Sequence, residues 1–452
     1  MLAAMLFGAT MAASGADLQW APYGDLPGNV PSFSLAPDPT SANAAYAATL
    51  GSGLLHTDDG KSWSEVGAGS LPRRQWRVAI DPARGPGGGP PPIYVGAAGD
   101  GFYKSLDAGK SWQQLNNGLG SAGSRNVRSI ALGRGIIVIG TSDGVYKTTD
   151  GGGKWDPMSL QGLDISAVAF AQYGDLKDQA NNPVVVLAGI DGVRDAGSRL
   201  VRTVDLGANW IPLKTGVPPD LVVAAIAAGP VPQGQNLRPL FVAGSAGVIK
   251  SDDGGDSWSP LSALPPQAFS QLALSAFDAN IVYASSDGGG PAGGVWRSTD
   301  RGASWTPMSS GLAEKGITAL GLARTAPATL VALAYNPDKP LATAYVLSDT
   351  QAVPAGTAEG GTCPEPGTLD QCPTTNVANP GELPSPFQVV SACASPTPSP
   401  AATPTAAPAS PEPAASAPAT ASASAAPSPS PSPSTNPAFG CESPSPSPGG
   451  GG

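Results

Sequence analysis

Two neighbouring stretches of the chain carry five arginines that could hold an anion. The first reads SLPRRQWRVAI and the second reads SAGSRNVRSIAL, and each runs into a short apolar segment. A guanidinium donates two parallel hydrogen bonds to a carboxylate or phosphate, so arginines clustered in one place indicate an anion site. The candidate ligand-binding residues are Arg73, Arg74, Trp76, Arg77, Arg125, Asn126 and Arg128.

Four Asp-Gly pairs are the second group of candidates for chemistry. They begin at Asp100, Asp143, Asp191 and Asp287. Two carboxylates at a suitable separation could hydrolyse a glycosidic bond. Asp-Gly is also the commonest two-residue turn of a β-hairpin. We therefore expect these aspartates to be turn residues, and glycoside hydrolysis is the alternative.

Other kinds of catalytic chemistry have little support in the sequence. His56 is the single histidine, and we expect it to be a turn residue. The glycine-rich strings are all hairpin turns, so none is a phosphate loop or a dinucleotide-binding fingerprint. The sequence predicts no catalytic residue, no metal site and no cofactor.

Internal repeats must position these residues. Six eight-residue segments have Asp in the third place, Gly in the fifth and Trp in the eighth: HTDDGKSW, SLDAGKSW, TTDGGGKW, TVDLGANW, SDDGGDSW and STDRGASW. Each segment lies between two short strand-like runs, which predicts a hairpin turn. We refer to this turn as the box turn.

The three recurring residue types of the box turn predict a structural role. The Asp carboxylate can accept N–H groups of its own loop, Gly can adopt a positive φ, and the indole can cover the turn. The predicted structural residues are Asp58, Gly60, Trp63, Asp107, Gly109, Trp112, Asp150, Gly152, Trp155, Asp205, Gly207, Trp210, Asp253, Gly255, Trp258, Asp300, Gly302 and Trp305.

The box turn resembles the Asp-box, or BNR, repeat. This repeat occurs in sialidases, sortilin-type ectodomains, tandem-propeller glucanases and the photosystem II assembly and stability factors. The resemblance covers about residues 17 to 350 and implies a β-propeller with its box turns away from the central axis. It implies a scaffold and no particular activity.

The spacing of seven tryptophans predicts the number of blades. From Trp20 to Trp305 the successive intervals are 43, 49, 43, 55, 48 and 47 residues, which fits four short strands per repeat. Trp20 has no box before it, and the three strand-like runs after Trp305 have no Trp behind them. We predict an all-β, seven-bladed β-propeller over residues 17–350, whose last blade combines residues from about 313 to 350 with the N-terminal strand.

In such a propeller the loops before the innermost strands converge on the axis. Arg77 and Arg128 are expected in the same register of adjacent blades, near the channel mouth. The photosystem II factors are similar in having a basic patch on one face. Alternatively, the arginines pair with Asp164, Asp143 or Asp100 and fasten blades together, and Trp76 packs between blades.

The resemblance to the enzymes of this group is incomplete. Sialidases would require an arginine triad, a Tyr–Glu nucleophile pair and an early F/Y-R-I-P motif. The string PRRQWR is not that motif, and Glu65 and Glu314 have no Tyr beside them in the sequence. The related glucanases use two facing propellers, whereas this chain has length for one.

Composition separates the termini from the propeller. Residues 1–16 resemble a secretory signal peptide, with a short disordered tail as the alternative. Residues 351–452 are rich in Pro, Ser, Thr and Ala and are expected to be disordered. The even number of cysteines in this tail predicts two disulfides in an oxidising compartment, and the sequence does not determine how they pair. A zinc site is the poorer interpretation, because the tail contains no C-x₂-C spacing. The four cysteines are Cys363, Cys372, Cys393 and Cys441.

Charge and hydropathy restrict the partners. Of 34 acidic and 24 basic residues, the tail after residue 350 holds six acidic and no basic ones, so the body is nearly balanced, which argues against a nucleic-acid binder. No later apolar run approaches the ~20 residues of a spanning helix.

We expect a secreted, extracytoplasmic, monomeric and non-enzymatic scaffold that binds a protein, peptide or glycan. Residues 189–200 and 285–296 form longer loops for partner contact.

Overall fold

A computed structural model describes the propeller part of the chain. It covers residues 18–350, except 29, 42, 84, 134, 173–183, 192–197, 289–292, 315, 324–327, 337 and 340. The expected signal peptide, the tail and its four cysteines lie outside the described residues. So do the middles of the two longer loops named above.

The described chain folds into seven four-stranded antiparallel sheets, which we number as blades. The first strand, β1 (Ala21–Asp25), belongs to blade 7. Blade 1 contains β2 (Ser32–Pro37), β3 (Ala45–Thr49), β4 (Leu54–Thr57) and β5 (Ser64–Val66). Blade 2 contains β6 (Gln75–Ile80), β7 (Ile93–Ala97), β8 (Phe102–Ser105) and β9 (Gln113–Gln114). Blade 3 contains β10 (Val127–Gly133), β11 (Ile136–Thr141), β12 (Gly144–Thr148) and β13 (Asp156–Pro157).

The remaining blades follow the same order from the axis outward. Blade 4 contains β14 (Asp164–Gln172), β15 (Val185–Asp191), β16 (Leu200–Thr203) and β17 (Ile211–Pro212). Blade 5 contains β18 (Val223–Ala228), β19 (Leu240–Gly244), β20 (Gly247–Ser251) and β21 (Ser259–Pro260). Blade 6 contains β22 (Gln271–Leu274), β23 (Val282–Ser286), β24 (Gly294–Ser298) and β25 (Thr306–Pro307). Blade 7 contains β26 (Ile317–Ala323), β27 (Ala328–Ala334) and β28 (Thr343–Asp349), followed outward by β1.

The predicted ring of seven blades, closed by the N-terminal strand, is confirmed. β1 pairs antiparallel with β28, with Ala21 opposite Val346. Each innermost strand contacts the innermost strand of the next blade, and β26 contacts β2 to complete the circle. Seven separate apolar clusters form the core, one between each pair of neighbouring blades. Closure therefore covers the apolar faces of every sheet.

Helical structure is minimal. A 3₁₀ turn at Pro86–Gly88 is the one helix in the part of the chain that the structure describes. Across that same part, no helix has the length and apolar character needed to cross a membrane.

Glycines on second strands allow the blades to pack closely. A Cβ added to Gly140 of β11 would lie 2.7 Å from Ile165, the second residue of blade 4. The equivalent Gly189 of β15 would meet Val223 at 2.5 Å. Side chains at these positions would push the next innermost strand away, so glycine is required by the approach of the neighbouring blade.

The box turns have the internal hydrogen bonds that their residue types predict. In the second copy, Ser105 Oγ donates to Asp107 Oδ1 at 2.8 Å, the Gly109 N–H donates to Ser105 Oγ at 2.8 Å, and the Ser111 N–H donates to Asp107 Oδ1 at 2.9 Å. The same three bonds recur in copies three to six. Bonds from Ser111 lower the pKa of Asp107 to about 2.

The assignment of Asp58 as the acidic residue of the first box turn is wrong. Asp59 has that role: it accepts the N–H groups of Lys61 at 2.8 Å and Ser62 at 3.0 Å, and these bonds lower its pKa. Asp58 is exposed, and its Oδ1 lies 3.4 Å from His56 Nε2. The first turn has one residue fewer between Thr57 and Gly60 than the other copies, so counting back from Trp63 selects the wrong aspartate.

Candidate functional site

Antiparallel pairing divides the connections between two faces of the propeller. The loops that precede the innermost strands share one face with the hairpins between second and third strands, because successive turns of a sheet alternate ends. We call this the arginine face, since residues 73–77 and 125–128 lie there. The box turns and the loops between first and second strands form the opposite box face. The ligand-binding candidates thus lie on the face away from the box turns.

Backbone hydrogen bonds hold the two arginine loops against neighbouring hairpins. The Gly53 N–H donates to the Arg73 carbonyl at 3.0 Å, and the Gly101 N–H donates to the Arg125 carbonyl at 2.7 Å. Arg74 and Asn126 accept similar bonds from Ala98 and Ser142. Each arginine loop is therefore joined to the hairpin of the preceding blade and to the hairpin of its own blade, which gives the side chains a defined platform.

The expected equal register of Arg77 and Arg128 is wrong. Gln75 lies opposite Ala97 and Arg77 opposite Gly96, so Trp76 is an extra residue in a β-bulge. In blade 3 the bulge falls between Val127 and Ser129. Arg128 therefore corresponds to Trp76, and Arg77 to Ser129. A bulge adds one residue to one strand and redirects the side chains around it, and its position is not visible in the sequence.

A chain of polar side chains crosses blades 2, 3 and 4 on the arginine face. Trp76 Nε1 donates to Asn126 Oδ1 at 2.8 Å, Asn126 Nδ2 donates to Ser142 Oγ at 2.8 Å, and Ser142 Oγ donates to Asp164 Oδ1 at 3.0 Å. Three of the sequence-predicted candidates, Trp76, Asn126 and Arg128, belong to this chain or contact it. Such a fully bonded network fixes side-chain positions.

Arg128 is at the end of that chain and is paired on two sides. Its Nη1 lies 2.6 Å from Asp164 Oδ2 and 3.3 Å from Asp191 Oδ2. Its guanidinium carbon is 5.7 Å from the centre of the Trp76 ring. Burial alone would lower the pKa of Arg128, but the bonds and charges of Asp164 and Asp191 outweigh burial and raise it. The fastening role considered for the arginines thus applies to Arg128.

Arg77 has a different environment. Within the described residues its side chain forms no ion pair, and its Nε is shielded from solvent without a hydrogen-bond partner. Burial lowers the pKa of Arg77 to about 10, and the nearby charge of Arg128 acts in the same direction. It remains a cation at neutral pH. Among the described residues, no carboxylate therefore lies at contact distance from the positive charge of Arg77.

Aromatic and amide side chains from blades 1, 2 and 6 lie at the starts of the innermost strands on the arginine face. The rings of Phe33 and Trp76 lie 6.2 Å apart, and both residues are half-buried. From blade 6, Gln271 Nε2 donates to the Thr318 carbonyl at 3.1 Å and reaches the Phe33 carbonyl at 3.5 Å. The sequence did not single out Phe33 or Gln271, because the contact of Gln271 in blade 6 with Phe33 in blade 1 depends on the ring closure.

The other arginine candidates lie at the edge of this site. Arg73 Nε donates to the Gly51 carbonyl at 3.1 Å, and its Nη1 is 3.6 Å from Glu65 Oε2. Arg125 Nη2 donates to the Gly120 carbonyl at 3.4 Å. Arg74 is exposed. The structure therefore brings Trp76, Arg77, Asn126 and Arg128 together.

The Asp-Gly aspartates have contacts typical of turn residues. Asp143 accepts Ser121 Oγ at 2.5 Å and the Gly162 N–H at 2.7 Å, which ties two loops together. Asp191 is paired with Arg128. The Asp100 carbonyl accepts the amide of Asn116 at 2.8 Å. These bonds place Asp143 and Asp191 in the scaffold.

A tyrosine does lie beside Glu314, contrary to what sequence proximity suggested. Tyr345 Oη and Lys339 Nζ both bond to the Glu314 carboxylate. Burial raises the pKa of Tyr345 to about 12, and Glu314 acts in the same direction. Tyr345 is a buried core residue of β28, the third strand of blade 7, and so is remote from the axis. The bond from Tyr345 to Glu314 joins β28 to the loop before β26 through a neutral phenol.

Basic residues directly before the box turns join neighbouring blades, which the sequence interpretation missed. Lys147 Nζ donates to the Leu206 carbonyl of the next box turn at 2.9 Å. Arg202 Nη1 donates to the Gly254 carbonyl of the box turn that follows, at 2.7 Å. The available signal is a basic residue immediately before the first box residue. It occurs at Lys104, Lys147, Arg202, Lys250 and Arg297.

Arg128→Ala is expected to lower the free energy of unfolding by about 2 kcal/mol, because Asp164 and Asp191 would face each other without a counter-ion. Urea unfolding measures this change. Raising the salt concentration should reduce the difference from the wild type, since the remaining repulsion is partly exposed. A variant as stable as the wild type would show that Arg128 does not fasten blades 3 and 4.

Comparison with known structures gives the fold. The chain is similar to a GH74 enzyme of Niastella koreensis, with a TM-score of 0.51 and 15% identity over 70% of this chain and 53% of that chain. It is also similar to YCF48 bound to D1 peptide, with a TM-score of 0.50 and 17% identity over 76% of this chain and 99% of that chain. The chain thus spans about half the length of the first and nearly all of the second. No protein-family model and no curated protein matches the chain.

Proposed function

We propose that this protein is a non-enzymatic binding propeller of BNR/Asp-box repeats that captures an acidic protein or peptide segment at the mouth of its arginine face. The observation that carries the proposal is that Arg77 forms no ion pair among the described residues and that its Nε is shielded without a hydrogen-bond partner. A half-buried cation without a counter-ion is costly to the folded protein. A ligand carboxylate at this point would offset that cost.

The surroundings of Arg77 favour a carboxylate on a flexible segment. The rings of Phe33 and Trp76 lie 6.2 Å apart at the start of the innermost strands of blades 1 and 2, the strand end where Arg77 also lies, which suits the apolar part of a peptide side chain. Arg128 is already occupied by Asp164 and Asp191, so it supplies the shape of the site and little free charge. A single carboxylate at Arg77 is therefore the expected central contact.

Two further points support this proposal. YCF48, which shares the propeller fold, is a protein bound to a D1 peptide, so a scaffold of this kind is suited to peptide capture. The signal-like N-terminus and the Pro-rich tail favour a location outside the cytoplasm. We propose that the tail acts as a spacer and that the four cysteines form disulfides there.

Glycoside hydrolysis by the loop aspartates is less well supported. A hydrolase needs one carboxyl group as acid and another as base or nucleophile. Asp143 already accepts Ser121 and Gly162, and Asp191 neutralises Arg128. Neither is poised for proton transfer in this arrangement.

Arg77→Gln is expected to weaken binding of an acidic peptide by at least about tenfold, because the charge-assisted bonds to the carboxylate are lost. The probe is a fluorescent decapeptide of alternating Glu and Gly, titrated by fluorescence anisotropy at low salt. Its Gln-for-Glu counterpart measures binding that does not depend on charge.

Lys110→Gln is the matched control for this titration. It removes one positive charge from an exposed site in a box turn, on the opposite face. The control variant should bind the acidic peptide as the wild type does. Equal weakening in both variants would mean that only net charge matters, and an unaffected Arg77→Gln variant would exclude the arginine face as the site.

A further inference from the structure

His56, the single histidine of the chain, lies in β4, so the expectation of a turn residue is wrong. It immediately precedes Thr57, whose hydroxyl has the role of the first box residue. His56 lies opposite Tyr46 of β3, as Lys104 lies opposite Tyr94 in blade 2. In blade 1 the histidine therefore occupies the position that holds lysine or arginine in blades 2 to 6.

Long basic side chains at this position join one blade to the next. Lys104 Nζ donates to the carbonyl of Gly151, the fourth residue of the next box turn, at 3.3 Å. The bonds of Lys147 and Arg202 described above also end at the fourth residue of the next turn. In these blades a flexible side chain carries its charge across the junction to a backbone acceptor.

The junction between blades 1 and 2 is joined in a different way. The fourth residue of the second box turn is Ala108, and its carbonyl accepts a bond from Tyr46 Oη at 3.4 Å. The imidazole of His56 stacks on the Tyr46 ring, with the ring centres 4.2 Å apart and the ring planes inclined by 28°. Among the described residues, no hydrogen bond links His56 to Ala108. A stack of imidazole on phenol therefore replaces the long cation at this junction.

The surroundings of His56 disfavour a charged imidazole. Its side chain is 14% exposed, and burial lowers the pKa of His56 below its ordinary value. Asp58, whose Oδ1 lies 3.4 Å from His56 Nε2, and Asp38, in the loop between β2 and β3, favour the charged form, but burial outweighs them. Strand β5 places the uncharged Ser64 opposite His56. The phenol of Tyr46 stays neutral, because burial raises its pKa.

We propose that His56 makes the junction between blades 1 and 2 an acid-sensitive joint of the ring. A neutral imidazole packs on Tyr46 as an aromatic ring, whereas a protonated one is a largely buried cation without the backbone acceptor that lysine reaches in other blades. The second box turn also brings the carboxylate of Asp107, which is bonded within its own turn. On the arginine face, Phe33 and Trp76 approach each other across this same junction. The joint therefore adjoins the candidate peptide site, although it does not depend on a bound peptide.

The direction of the pH dependence follows from the lowered pKa of His56. The folded protein holds this proton less tightly than the unfolded chain, in which the pKa of histidine is about 6.5. The stabilising contribution of neutral His56 is therefore complete above about pH 6.5 and is lost as the pH falls through the folded-state pKa.

Proton NMR of the full chain measures this titration directly, since one histidine gives one set of imidazole signals. We expect a pKa below that of the same residue in the urea-unfolded chain. Asp58→Asn should lower it further, because the variant removes a carboxylate that favours the charged form. A folded-state pKa equal to or above the unfolded one would overturn the proposal.

Two variants connect the titration to the junction. His56→Phe keeps a ring against Tyr46 without a titrating group, and His56→Lys restores the residue type of the other blades. Between about pH 7.5 and about pH 5.5, the urea midpoint of the wild type should fall by more than that of either variant. Equal falls in all three proteins would contradict an acid-sensitive role of His56.

Hydrogen exchange locates the effect within the ring. At about pH 5.5 and short exchange times, which report local opening, the wild type should exchange faster than His56→Phe along β4 and the second box turn. The two proteins should exchange alike in blades 4 and 5. A difference spread evenly over all seven blades would show that the junction between blades 1 and 2 is not the joint.

Discussion

Asp349→Asn is expected to lower the free energy of unfolding by about 3 to 5 kcal/mol. Asp349 ends β28 and is fully buried; its Oδ2 lies 2.6 Å from Arg297 Nε, and the side chain of Arg297 is 8% exposed. Arg297 Nη2 also donates to Oδ1 at 3.2 Å, and Tyr283 Oη donates to Oδ2 at 2.5 Å. Removing the negative charge would break the ion pair with the buried Arg297.

The position of Asp349 explains why this ion pair matters. Asp349 lies opposite Ala328, as Ser298 lies opposite Val282 in blade 6. It thus occupies the place of the first box residue in a blade that lacks a box turn. In other blades, the basic residue before the box turn donates to a backbone carbonyl in the box turn of the next blade. In blade 6 this residue is Arg297, and it bonds to the carboxylate of Asp349 in blade 7. The ion pair therefore joins blades 6 and 7.

Urea denaturation of two further variants provides the comparison for Asp349→Asn. Asp252→Asn breaks the pair of an exposed Asp252 with the half-buried Lys250 and should cost less than about 0.5 kcal/mol. The double variant Arg297→Met, Asp349→Leu replaces the pair with apolar groups and should recover a large part of the loss. A loss below about 1 kcal/mol in Asp349→Asn would show that the pair does not stabilise the closure.

Trp20→Ala is expected to cost about 4 kcal/mol, the range for emptying a large core site. Trp20 is 2% exposed and packs in the cluster between blades 6 and 7 with Tyr283, Leu330 and Tyr345. Its Nε1 donates to the Met308 carbonyl at 2.7 Å. The residue therefore joins the N-terminal strand to both blades at the closure of the ring.

Trp20→Phe separates the two contributions of this residue. It keeps an aromatic ring but loses the indole N–H, so we expect a loss of about 1 to 2 kcal/mol. Equilibrium unfolding followed by circular dichroism measures both variants. A Trp20→Ala protein within about 1 kcal/mol of the wild type would mean that the fold does not depend on closure by this strand.

The repeat-level features of the fold could be predicted from the sequence because each is recorded in local residue types. The box turns, the tryptophan spacing and the leftover strand at Trp20 give seven blades and their closure. The assignment of Asp58 failed because the first box turn is one residue shorter than the others, and its two adjacent aspartates still leave an Asp in the third place of the eight-residue pattern. Local patterns do not reveal how many residues a turn contains when two acidic residues are adjacent.

The candidate site was only partly predictable. The sequence places Trp76, Arg77, Asn126 and Arg128 on adjacent blades, but the bulges that set Arg77 one position further along its strand than Arg128 depend on strand pairing. The Arg297–Asp349 pair and the bonds of Tyr345 to Glu314 join residues 31 or more positions apart. Such contacts are set by the ring and not by neighbouring residues.

Arg77→Met tests most directly whether Arg77 is kept for binding. Met retains much of the side-chain volume while removing a charge that forms no ion pair with any residue the structure describes. We predict that the free energy of unfolding stays equal or rises by about 1 to 2 kcal/mol, while binding of the Glu-Gly decapeptide is lost. A variant that unfolds more readily and still binds the peptide would show that Arg77 stabilises the propeller and captures nothing.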